Sequence, residues 1–583
     1  MSGVIRRVTV LALAVAVTAG SGVSTAESRG AVTGRFDVPL PGYASPHTVL
    51  RSGSPASAGL DAAPIDAAVA KIDEWTRKNY DPKLTVPLYS GAVSLLAHDG
   101  VVVSRETTGY AVRYADGAGT ELPDDQKVPM RADTIFDMAS VSKLFTSIAV
   151  MQLVEAGQVD PDEPVATYLP EFGVNGKESI TVAQLLTHTS GLVSWLPLWS
   201  RYPDIPSRIK AVMDVAPRTT PGTNYEYSDL NLITLGVLVE RLTGKKLDEV
   251  VAERITRPLG MVDTGYNPPA AKLDRIAATE YQTAPPRGMV RGSVHDENAW
   301  SLGGVAGHAG VFSTAGDMAI LAQTILNGGA YRGHRIMRPE TVTAMLANHN
   351  EGFPGHDHGF GFELNQMWYM GGLSGPRTAG HTGYTGTDVV IDPASRSFAI
   401  LLTNRVHPSR NWGSINIARE TLCGGLAKAL AVKPRHGRDS WYAGNGDASA
   451  ALLTTGTLRP TQPFRVNFDA FVDTESTDRL IFEATTDGVT WSAVPLSVQG
   501  RGAPDEPVES LSGNGHRAWW RVEARLPHAA EITLRWRYVT DARYTGRGVN
   551  LDRIMVTERG RVLLNGEKEP HKLQSEGWQL RSR

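Results

Sequence analysis

One apolar stretch, residues 138–151, constrains the fold of this chain more than any other. Its apolar residues are Val141, Leu144, Phe145 and Ile148. They recur at three- and four-residue spacing, which predicts a buried helix. Gly157 follows shortly afterwards and is typical of a helix end. The rest of the domain must therefore pack around this helix.

Ser140 and Lys143 lie three residues apart at the start of this helix, so their side chains should share one face. A buried cation is costly unless it has a task. A buried amine loses its proton readily and can then accept the serine proton, which makes the serine a strong nucleophile. A second S-x-x-K, at 207–210, lacks an apolar helix. The alternative for any single match is a serine and a lysine on a helix surface.

The overall composition restricts the class of protein. A chain of 583 residues is too long for one ordinary core and predicts two domains. Apolar content of 41% and charged content of 20% are typical of a soluble globular protein. A net charge of −3 gives no basic footprint, so we expect no nucleic-acid partner. Cys423 is the only cysteine, so no disulfide forms within the chain.

The first residues have the layout of an export signal. Two arginines precede an apolar run over residues 8–17, and small residues follow up to Ala26. We interpret residues 1–26 as a signal peptide rather than a transmembrane anchor, because the apolar run is too short to span a bilayer. A Sec-type signal is favoured over a twin-arginine one, because the residues around the arginine pair match the twin-arginine pattern poorly. The mature protein is then secreted and free of the membrane. Residues 27–54 are rich in Gly, Ser and Pro and predict a linker or an extended arm.

Helix and hairpin patterns alternate along residues 55–433. A helical period covers 61–75, and two apolar runs flank a turn within 91–104. A second hairpin is predicted within 388–403, and a last helix over 414–430. This pattern predicts an α+β domain in which helices pack beside an antiparallel sheet.

Two polar segments stand between these elements. A short helix within 180–192 ends in a polar turn, where we interpret His188 as a side chain that closes the turn by hydrogen bonds. Tyr227 comes just before another apolar helix, for which Ser228 or Asp229 is a good N-cap. The positive end of that helix favours a phenolate, which suits Tyr227 to proton transfer. An ordinary structural tyrosine is the alternative.

Residues 294–314 form an unusual glycine-rich segment. Its glycines at 303, 304, 307 and 310 allow close backbone approach, and its polar residues include His295, Asp296, Glu297 and His308. We interpret it as a substrate-lining loop, with a packed structural turn as the alternative. A zinc site from His295, His308 and His356 or His358 has no recognised ligand spacing, so we expect no metal.

From about residue 436 the pattern changes to short alternating runs separated by polar turns, which predicts an all-β sandwich over 436–583. Its aromatics are Trp441, Trp491, Trp519, Trp520 and Trp536, which we interpret as core rather than as a ligand platform. Asp447, Asp541 and Asp552 are candidate calcium ligands, with solvated acidic loops as the alternative.

Three motifs occur in a fixed order: Ser140-Val-Ser-Lys143, Tyr227-Ser-Asp229 and His381-Thr-Gly383. Together they resemble the serine β-lactamase and penicillin-binding protein superfamily, in its class C-like branch. Similar stretches extend the resemblance over residues 55–430; they are 186–192, 306–314 and 402–407. The fold that the resemblance implies is a helical cluster on an antiparallel sheet.

The resemblance also implies roles for individual residues. Ser140 would be the acylated nucleophile, Lys143 would activate it, and Tyr227 would share the proton transfers. The main-chain N–H groups of Ser140 and Tyr384 would form the oxyanion hole. The implied substrate-binding residues are Asp229, His308, His381, Thr382 and Gly383. No cofactor and no metal are implied.

Two departures from the family pattern narrow the substrate. Asp229 stands where β-lactamases of this branch have asparagine, and His381 replaces the usual lysine. Both changes weaken recognition of a substrate carboxylate and argue against an efficient β-lactamase. D-alanyl-D-alanine carboxypeptidases are less affected, because some relatives of that type carry histidine there. The segment 294–314 also resembles cell-wall hydrolases, including amidases that remove peptides from muramic acid.

We therefore expect a secreted bacterial hydrolase that forms an acyl-enzyme on Ser140 and cleaves amide bonds of peptidoglycan peptides. A broad esterase of the same family and a non-turnover penicillin-binding sensor are the alternatives. The tail resembles the jelly-roll accessory domains of secreted bacterial peptidases, which would allow contact with cell-wall glycan. We expect a monomer that acts on a small-molecule or cell-wall peptide substrate.

Overall fold

The computed structural model describes residues 34–81 and 85–583. The signal peptide predicted for residues 1–26 lies outside the described residues. Within the described ranges, no helix is both long and apolar enough to cross a bilayer.

The helices lie almost entirely in the first three quarters of the chain. They are α1 Ala62–Glu74, α2 Ser142–Glu155, α3 Val165–Tyr168, α4 Val182–Leu186, α5 Leu198–Arg201, α6 Ile205–Asp214, α7 Asp229–Thr243, α8 Leu247–Val251, α9 Arg257–Leu259, α10 Glu297–Ser301, α11 Ala315–Leu326, α12 Pro339–Met345, α13 Met367–Met370 and α14 Asn416–Ala429. The helices predicted for 61–75 and 414–430 correspond to α1 and α14.

The strands of the same region are β1 Arg51–Ser52, β2 Gly91–His98, β3 Val101–Val112, β4 Val128–Pro129, β5 Phe136–Asp137, β6 Gly265–Tyr266, β7 Tyr281–Gln282, β8 Gly288–Met289, β9 Val311–Ser313, β10 Ala330–Tyr331, β11 His334–Arg335, β12 Glu363–Leu364, β13 Ala379–Gly383, β14 Thr387–Asp392 and β15 Ser397–Thr403. The main sheet has the order β1-β3-β2-β15-β14-β13-β12, and β4 also pairs with β3. Only the β1–β3 pairing of this sheet is parallel. Both predicted hairpins, β2–β3 and β14–β15, are confirmed.

The main sheet is buried on both faces, because its residues alternate between two cores. Val389 and Ile391 point into a core that includes α2, α7 and α11, whereas Val390 points into a second core formed with α1 and α14. The domain is thus an α+β fold with helices on both sides of the sheet, as the period-2 pattern of a twice-covered strand requires. The helix α2 lies in the larger core.

The tail contains strands only, apart from one helical turn. They are β16 Ser440–Ala443, β17 Ala450–Thr455, β18 Phe464–Asp473, β19 Arg479–Thr485, β20 Ser492–Ala493, β21 Ser497–Gln499, β22 Ser510–Leu511, β23 Trp519–Leu526, β24 Thr533–Val539, β25 Gly548–Glu558, β26 Arg561–Asn565, β27 Leu573–Glu576 and β28 Gln579–Arg581. They form two antiparallel sheets, β21-β23-β18-β25-β16-β28 with β26, and β20-β19-β24-β17-β27 with β22. Trp520 and Trp536 are buried in the core of this tail, as predicted for the aromatics.

The tail is fastened to the first domain by a buried ion pair. Arg517 Nη1 lies 2.7 Å from Asp392 Oδ2, and their side chains are 2% and 0% exposed. Arg517 Nη2 also donates to the main-chain oxygen of Leu373, at 2.9 Å. The arm before the first helix is packed here as well, because the Phe36 ring lies 6.2 Å from that of Phe471. The described part of residues 27–54 is therefore an extended arm on the protein surface.

Candidate active site

The serine and lysine of the first motif meet as their spacing predicts. Ser140 lies in a 3-10 turn, residues 139–141, that leads into α2. Lys143 Nζ donates to Ser140 Oγ over 2.9 Å. Ala139 is held in the left-handed region at φ 46°, and Asp137 Oδ1 accepts its N–H at 2.9 Å. This strained turn projects Ser140 out of the helix axis and into the cleft.

Lys143 is charged in the resting site. Its side chain is 1% exposed, and its Nζ lies 2.8 Å from Asp229 Oδ1 and 4.7 Å from the centre of the Tyr227 ring. Burial alone would lower the pKa of Lys143, but the charge of Asp229 raises it above its ordinary value. The sequence argument that burial makes the proton of this amine easy to lose does not include Asp229, whose negative charge offsets the burial of Lys143.

Tyr227 is a neutral phenol in the resting site. It lies directly before α7, and its hydroxyl contacts both Lys143 and Ser140. Burial raises the pKa of Tyr227, although the neighbouring ammonium lowers it in part. The positive end of α7 favours a phenolate, but burial has the larger effect on the pKa of Tyr227 in the resting site.

His188 holds the segment that carries Tyr227. Its Nδ1 accepts the main-chain N–H of Ser228 at 3.1 Å and lies 3.1 Å from Asn231 Nδ2. Burial lowers the pKa of His188 well below its ordinary value, so the ring is neutral and free to accept. The His188 and Tyr227 rings are 4.5 Å apart. His188 is thus a structural residue, as predicted, but its side chain bonds to the segment at 228–231 rather than within its own turn.

The end of β13 is pinned to the residues that precede Ser140. Thr385 Oγ1 donates to the main-chain oxygen of Asp137 at 2.7 Å, and Thr387 Oγ1 donates to that of Met138 at 3.1 Å. A Cβ added at Gly383 would lie 2.1 Å from Thr387 Oγ1 and 2.5 Å from the Met138 oxygen. Only glycine fits between these elements.

The same turn carries Tyr384, whose main-chain N–H has no protein acceptor among the described residues. Gly383 and Ser140 line one cavity with it. An N–H without an acceptor at the mouth of a nucleophile cleft can receive the developing charge of a carbonyl oxygen. This arrangement fits the oxyanion hole that the sequence implies.

His381 supplies no positive charge to the cleft. It is 1% exposed, and its Nδ1 lies 2.8 Å from the main-chain oxygen of Thr382. Burial, with the nearby Lys143, lowers the pKa of His381 to about 3. Thr382 itself lines the cavity. The position where relatives carry a fixed cation is thus neutral here.

Asp296 and His308 form a buried pair beside Asp229. His308 Nε2 lies 2.9 Å from Asp296 Oδ1, which also accepts the Ala299 N–H at 2.7 Å as the N-cap of α10. The main-chain oxygen of His308 accepts from Lys143 Nζ at 3.4 Å. Burial raises the pKa of Asp296, but the charge of His308 outweighs it and holds that pKa low. The imidazole of His308 contacts Asp296; substrate binding by His308 stays a prediction.

The glycine-rich segment approaches the helices closely, as its composition predicts. A Cβ added at Gly307 would lie 1.8 Å from the main-chain oxygen of Leu232 in α7. The Gly307 oxygen accepts from Thr146 Oγ1 of α2 at 2.8 Å. The segment is therefore packed against both helices that carry the site.

The histidines considered for zinc have separate partners. His295 Nε2 lies 2.9 Å from Glu280 Oε2, and His358 Nδ1 lies 2.6 Å from the main-chain oxygen of Gly359. Ligand atoms of Asp229, Asp296 and His308 do lie within 4.8 Å of one another. There the ammonium of Lys143 already lies against Asp229.

The calcium hypothesis included both Asp541 and Asp552 as candidate ligands, but these two residues have different partners in the structure. Asp541 has ligand atoms within 4.8 Å of those of Glu475 and Asp478. Asp552 instead accepts the main-chain N–H groups of Arg435 and His436, at 2.6 and 2.9 Å. Its carboxylate thus anchors the segment that leads into the tail.

Ser140 opens into a large cavity of about 890 Å³. Its lining includes Tyr225, Tyr227, Glu363, Trp368, Thr382, Arg405, Arg410 and Arg419. Burial raises the pKa of Glu363 to about 7. Sequence reasoning assigned no role to Arg405 or Glu363, although Arg405 lies within the family-like stretch 402–407. A volume of this size suits a substrate larger than a single amino acid.

This fold and this nucleophile site define a serine hydrolase. The family model described as Beta-lactamase matches residues 87–420, and the chain belongs to that family. An Escherichia coli (strain K12) protein named "Putative D-alanyl-D-alanine carboxypeptidase" is 33% identical over 399 residues, covering 62% of this chain and 87% of that protein. A Salmonella schwarzengrund relative of the same name is 32% identical over 405 residues, covering 63% and 89%.

Solved structures agree on the fold. A penicillin-binding protein homologue from Caulobacter crescentus has a TM-score of 0.50 and is 24% identical, covering 63% of this chain and 98% of that one. The sequence-predicted membership of the serine β-lactamase and penicillin-binding protein superfamily is confirmed, and the chain is an enzyme of that superfamily.

Proposed function

We propose that this protein is a secreted serine hydrolase that forms an acyl-enzyme on Ser140 and cleaves amide bonds of peptidoglycan peptides. The observation that carries the proposal is the 2.9 Å contact between Lys143 Nζ and Ser140 Oγ. The Tyr227 hydroxyl beside both groups supports a shared path for protons. Ser140, Lys143 and Tyr227 are then the catalytic residues.

The reaction begins when the Lys143–Tyr227 pair has lost one proton, since the resting pair is an ammonium and a phenol. Ser140 Oγ attacks the carbonyl carbon and gives its proton to the pair, while the N–H groups of Ser140 and Tyr384 stabilise the oxyanion. The C–N bond then breaks and the leaving nitrogen takes the proton. In the second half, water gives a proton to the same pair and its oxygen attacks the acyl carbon. The bond between that carbon and Ser140 Oγ then breaks, and the pair returns the proton to Ser140 Oγ.

Two substrate types fit the proposal: the terminal D-alanine of a stem peptide, and the amide between muramic acid and its peptide. The names of the most similar relatives support the first. The likeness of segment 294–314 to muramyl-peptide amidases supports the second. The acidic Asp229 and the neutral His381 argue against efficient β-lactam hydrolysis, because neither helps to bind the carboxylate of a β-lactam.

A broad esterase is the second candidate. The neutral, buried His381 favours it, because a neutral ester needs no cation on β13. A penicillin-binding sensor that acylates without turnover is a weaker alternative, because Tyr227 is positioned to serve deacylation. The remaining substrate-binding residues in the proposal are Asp229, His308, Thr382 and Gly383.

We further propose that residues 55–433 form the hydrolase domain, and that residues 436–583 form a jelly-roll accessory domain that contacts cell-wall glycan. The two antiparallel sheets of the tail support this interpretation. Residues 1–26 would direct export as a Sec-type signal, and the mature protein would be a monomer.

Mass spectrometry of soluble muropeptides tests the function. The mature protein is incubated with the mixture beside Ser140→Ala and Ser207→Ala, the latter in the exposed second S-x-x-K. We expect loss of a peptide or of D-alanine with the wild type and Ser207→Ala, and no change with Ser140→Ala. Turnover by Ser140→Ala would overturn the nucleophile. Intact muropeptides with rapid hydrolysis of p-nitrophenyl acetate would favour the esterase.

A further inference from the structure

Three arginines line the Ser140 cavity, and two of them are neutralised by carboxylates. Arg410 Nε donates to Glu280 Oε2 at 2.7 Å, and Arg410 also pairs with Glu297. Arg419 Nε lies 3.5 Å from Asp388 Oδ1. Arg410 is thus paired within the protein, whereas Arg419 is 6% exposed and its Nη2 donates to the main-chain oxygens of Gly383 and Thr387.

Arg405 is different, because no carboxylate of the described residues pairs with it. Its Nε donates to the main-chain oxygen of Tyr384 at 3.2 Å, and its Nη1 donates to the oxygen of Arg410 at 3.2 Å and to that of Gly413. Its guanidinium lies 5.0 Å from the centre of the Tyr384 ring. Main-chain acceptors therefore fix the cation without neutralising it.

The aliphatic part of the Arg405 side chain is closely packed against Gly386. Gly386 has φ 105°, and a Cβ added there would lie 2.7 Å from the Cγ of Arg405. Burial lowers the pKa of Arg405 from its ordinary value. Partial burial of a cation without a counter-ion costs desolvation free energy. A ligand that supplies the anion offsets this free-energy cost.

Two other titratable side chains of the site, His381 and Glu363, supply no positive charge. His381 on β13 is neutral, so the strand offers no cation. Glu363 is the carboxyl in the lining that pairs with no arginine, and burial raises its pKa to about 7. Arg405 therefore contributes to the cavity that Ser140 also lines a positive charge with which no carboxylate of the described residues pairs. Its Nε and Nη1 already donate to main-chain oxygens, so among the contacts of the described residues Nη2 is the group left to donate a charge-assisted hydrogen bond to a carboxylate.

We infer that Arg405 is a specificity-determining residue that binds a carboxylate of the substrate inside the Ser140 cleft. This inference rests on the proposed function, since it names the chemistry of the substrate for the same site. The enzyme would thus select acidic peptides through a residue beyond the end of β15.

Inhibition of p-nitrophenyl acetate hydrolysis tests the inference without knowledge of the natural substrate. The inhibitors are acetyl-D-alanyl-D-alanine and its C-terminal amide, which differ only in the carboxylate. For the wild type we expect the acid to inhibit at about 10- to 100-fold lower concentration than the amide, as for a charged hydrogen bond. Added salt should narrow this difference.

Variants assign the effect to Arg405. Arg405→Gln should remove the difference between acid and amide, which is read as the ratio of the two inhibition constants for each variant and so does not depend on the rate of p-nitrophenyl acetate hydrolysis. Arg405→Lys should keep part of this difference, since lysine keeps the charge but not the main-chain contacts that fix the guanidinium. Arg332→Gln, on the exposed hairpin β10–β11, is the matched control and should behave as the wild type.

Two results would overturn the inference: equal inhibition by acid and amide in the wild type, or an unchanged difference in Arg405→Gln. Failure of the proposed function looks different, because it would appear as ester hydrolysis that survives in Ser140→Ala.

Discussion

Lys143 and Asp229 form an ion pair of 2.8 Å against the nucleophile Ser140. The pair explains how an ammonium persists at a site where burial alone would remove its proton. It also sets the condition for catalysis, because the proton that Lys143 holds at rest must leave before the Lys143–Tyr227 pair can accept another.

The first prediction concerns pH. Asp229 raises the pKa of Lys143, so the active form accumulates as pH rises, and kcat/KM should increase toward alkaline pH. Asp229→Asn removes the negative charge, lowers the pKa of Lys143 and should move this rise to lower pH by about one unit or more. The measurement is the pH profile of p-nitrophenyl acetate hydrolysis. Asp214→Asn, in the exposed pair with Lys210, is the control, and a profile unchanged by Asp229→Asn would contradict the assignment.

The second prediction concerns the buried pair of Asp296 and His308. Asp296→Asn keeps an oxygen for the N-cap of α10 but removes the charge that faces the imidazole. We expect a loss of about 1–2 kcal/mol in the free energy of unfolding, with reduced kcat because the His308 main chain contacts Lys143. Urea unfolding and steady-state kinetics measure the two effects. Asp204→Asn, an exposed N-cap without a histidine partner, should change both less.

The third prediction concerns the junction between β13 and the residues before Ser140. Gly383→Ala would force Cβ into Thr387 and the Met138 oxygen, so the Tyr384 N–H should move away from Ser140. We expect kcat/KM to fall by about 10²-fold or more, because removing one oxyanion donor has that effect. Gly352→Ala has open space around its Cβ and serves as the control. Normal kinetics for Gly383→Ala would rule out this oxyanion hole.

The fourth prediction concerns the link between the domain and the tail. Arg517→Met leaves Asp392 buried without its cation, which should cost about 3–5 kcal/mol of unfolding free energy. Arg459→Met removes an exposed pair with Glu531 and should cost less than about 1 kcal/mol. Urea titration followed by tryptophan fluorescence compares the two. Equal, small effects would show that Arg517 is not needed for the link.

Local patterns predicted much of this molecule. The three- and four-residue period of α2 placed Ser140 and Lys143 on one face, and turn chemistry identified the hairpin β2–β3. The partners of His188 were not predicted, because Ser228 and Asn231 are distant from it in sequence. Protonation states could not be predicted, because they depend on groups that are distant in sequence. Lys143 is charged only because α7 brings Asp229 to it.

Arg405 is a second residue whose role depends on groups that are distant in sequence. The strand before Arg405 and the family-like stretch 402–407 were visible in the sequence, but the importance of Arg405 lies in the absence of a carboxylate partner among the described residues. Whether Arg405 has a carboxylate partner depends on the positions of all the acidic side chains around it. Two of these, Glu280 and Glu297, lie far from Arg405 in the sequence. Only the folded structure shows that both of these carboxylates form ion pairs with Arg410.

The buried contact of Arg517 with Asp392 has a geometric consequence. The Arg517 guanidinium bonds to the carboxylate of Asp392, at the end of β14, and to the main-chain oxygen of Leu373. One side chain therefore ties the tail to two separate segments of the hydrolase region. Its loss would release both segments from the tail at once.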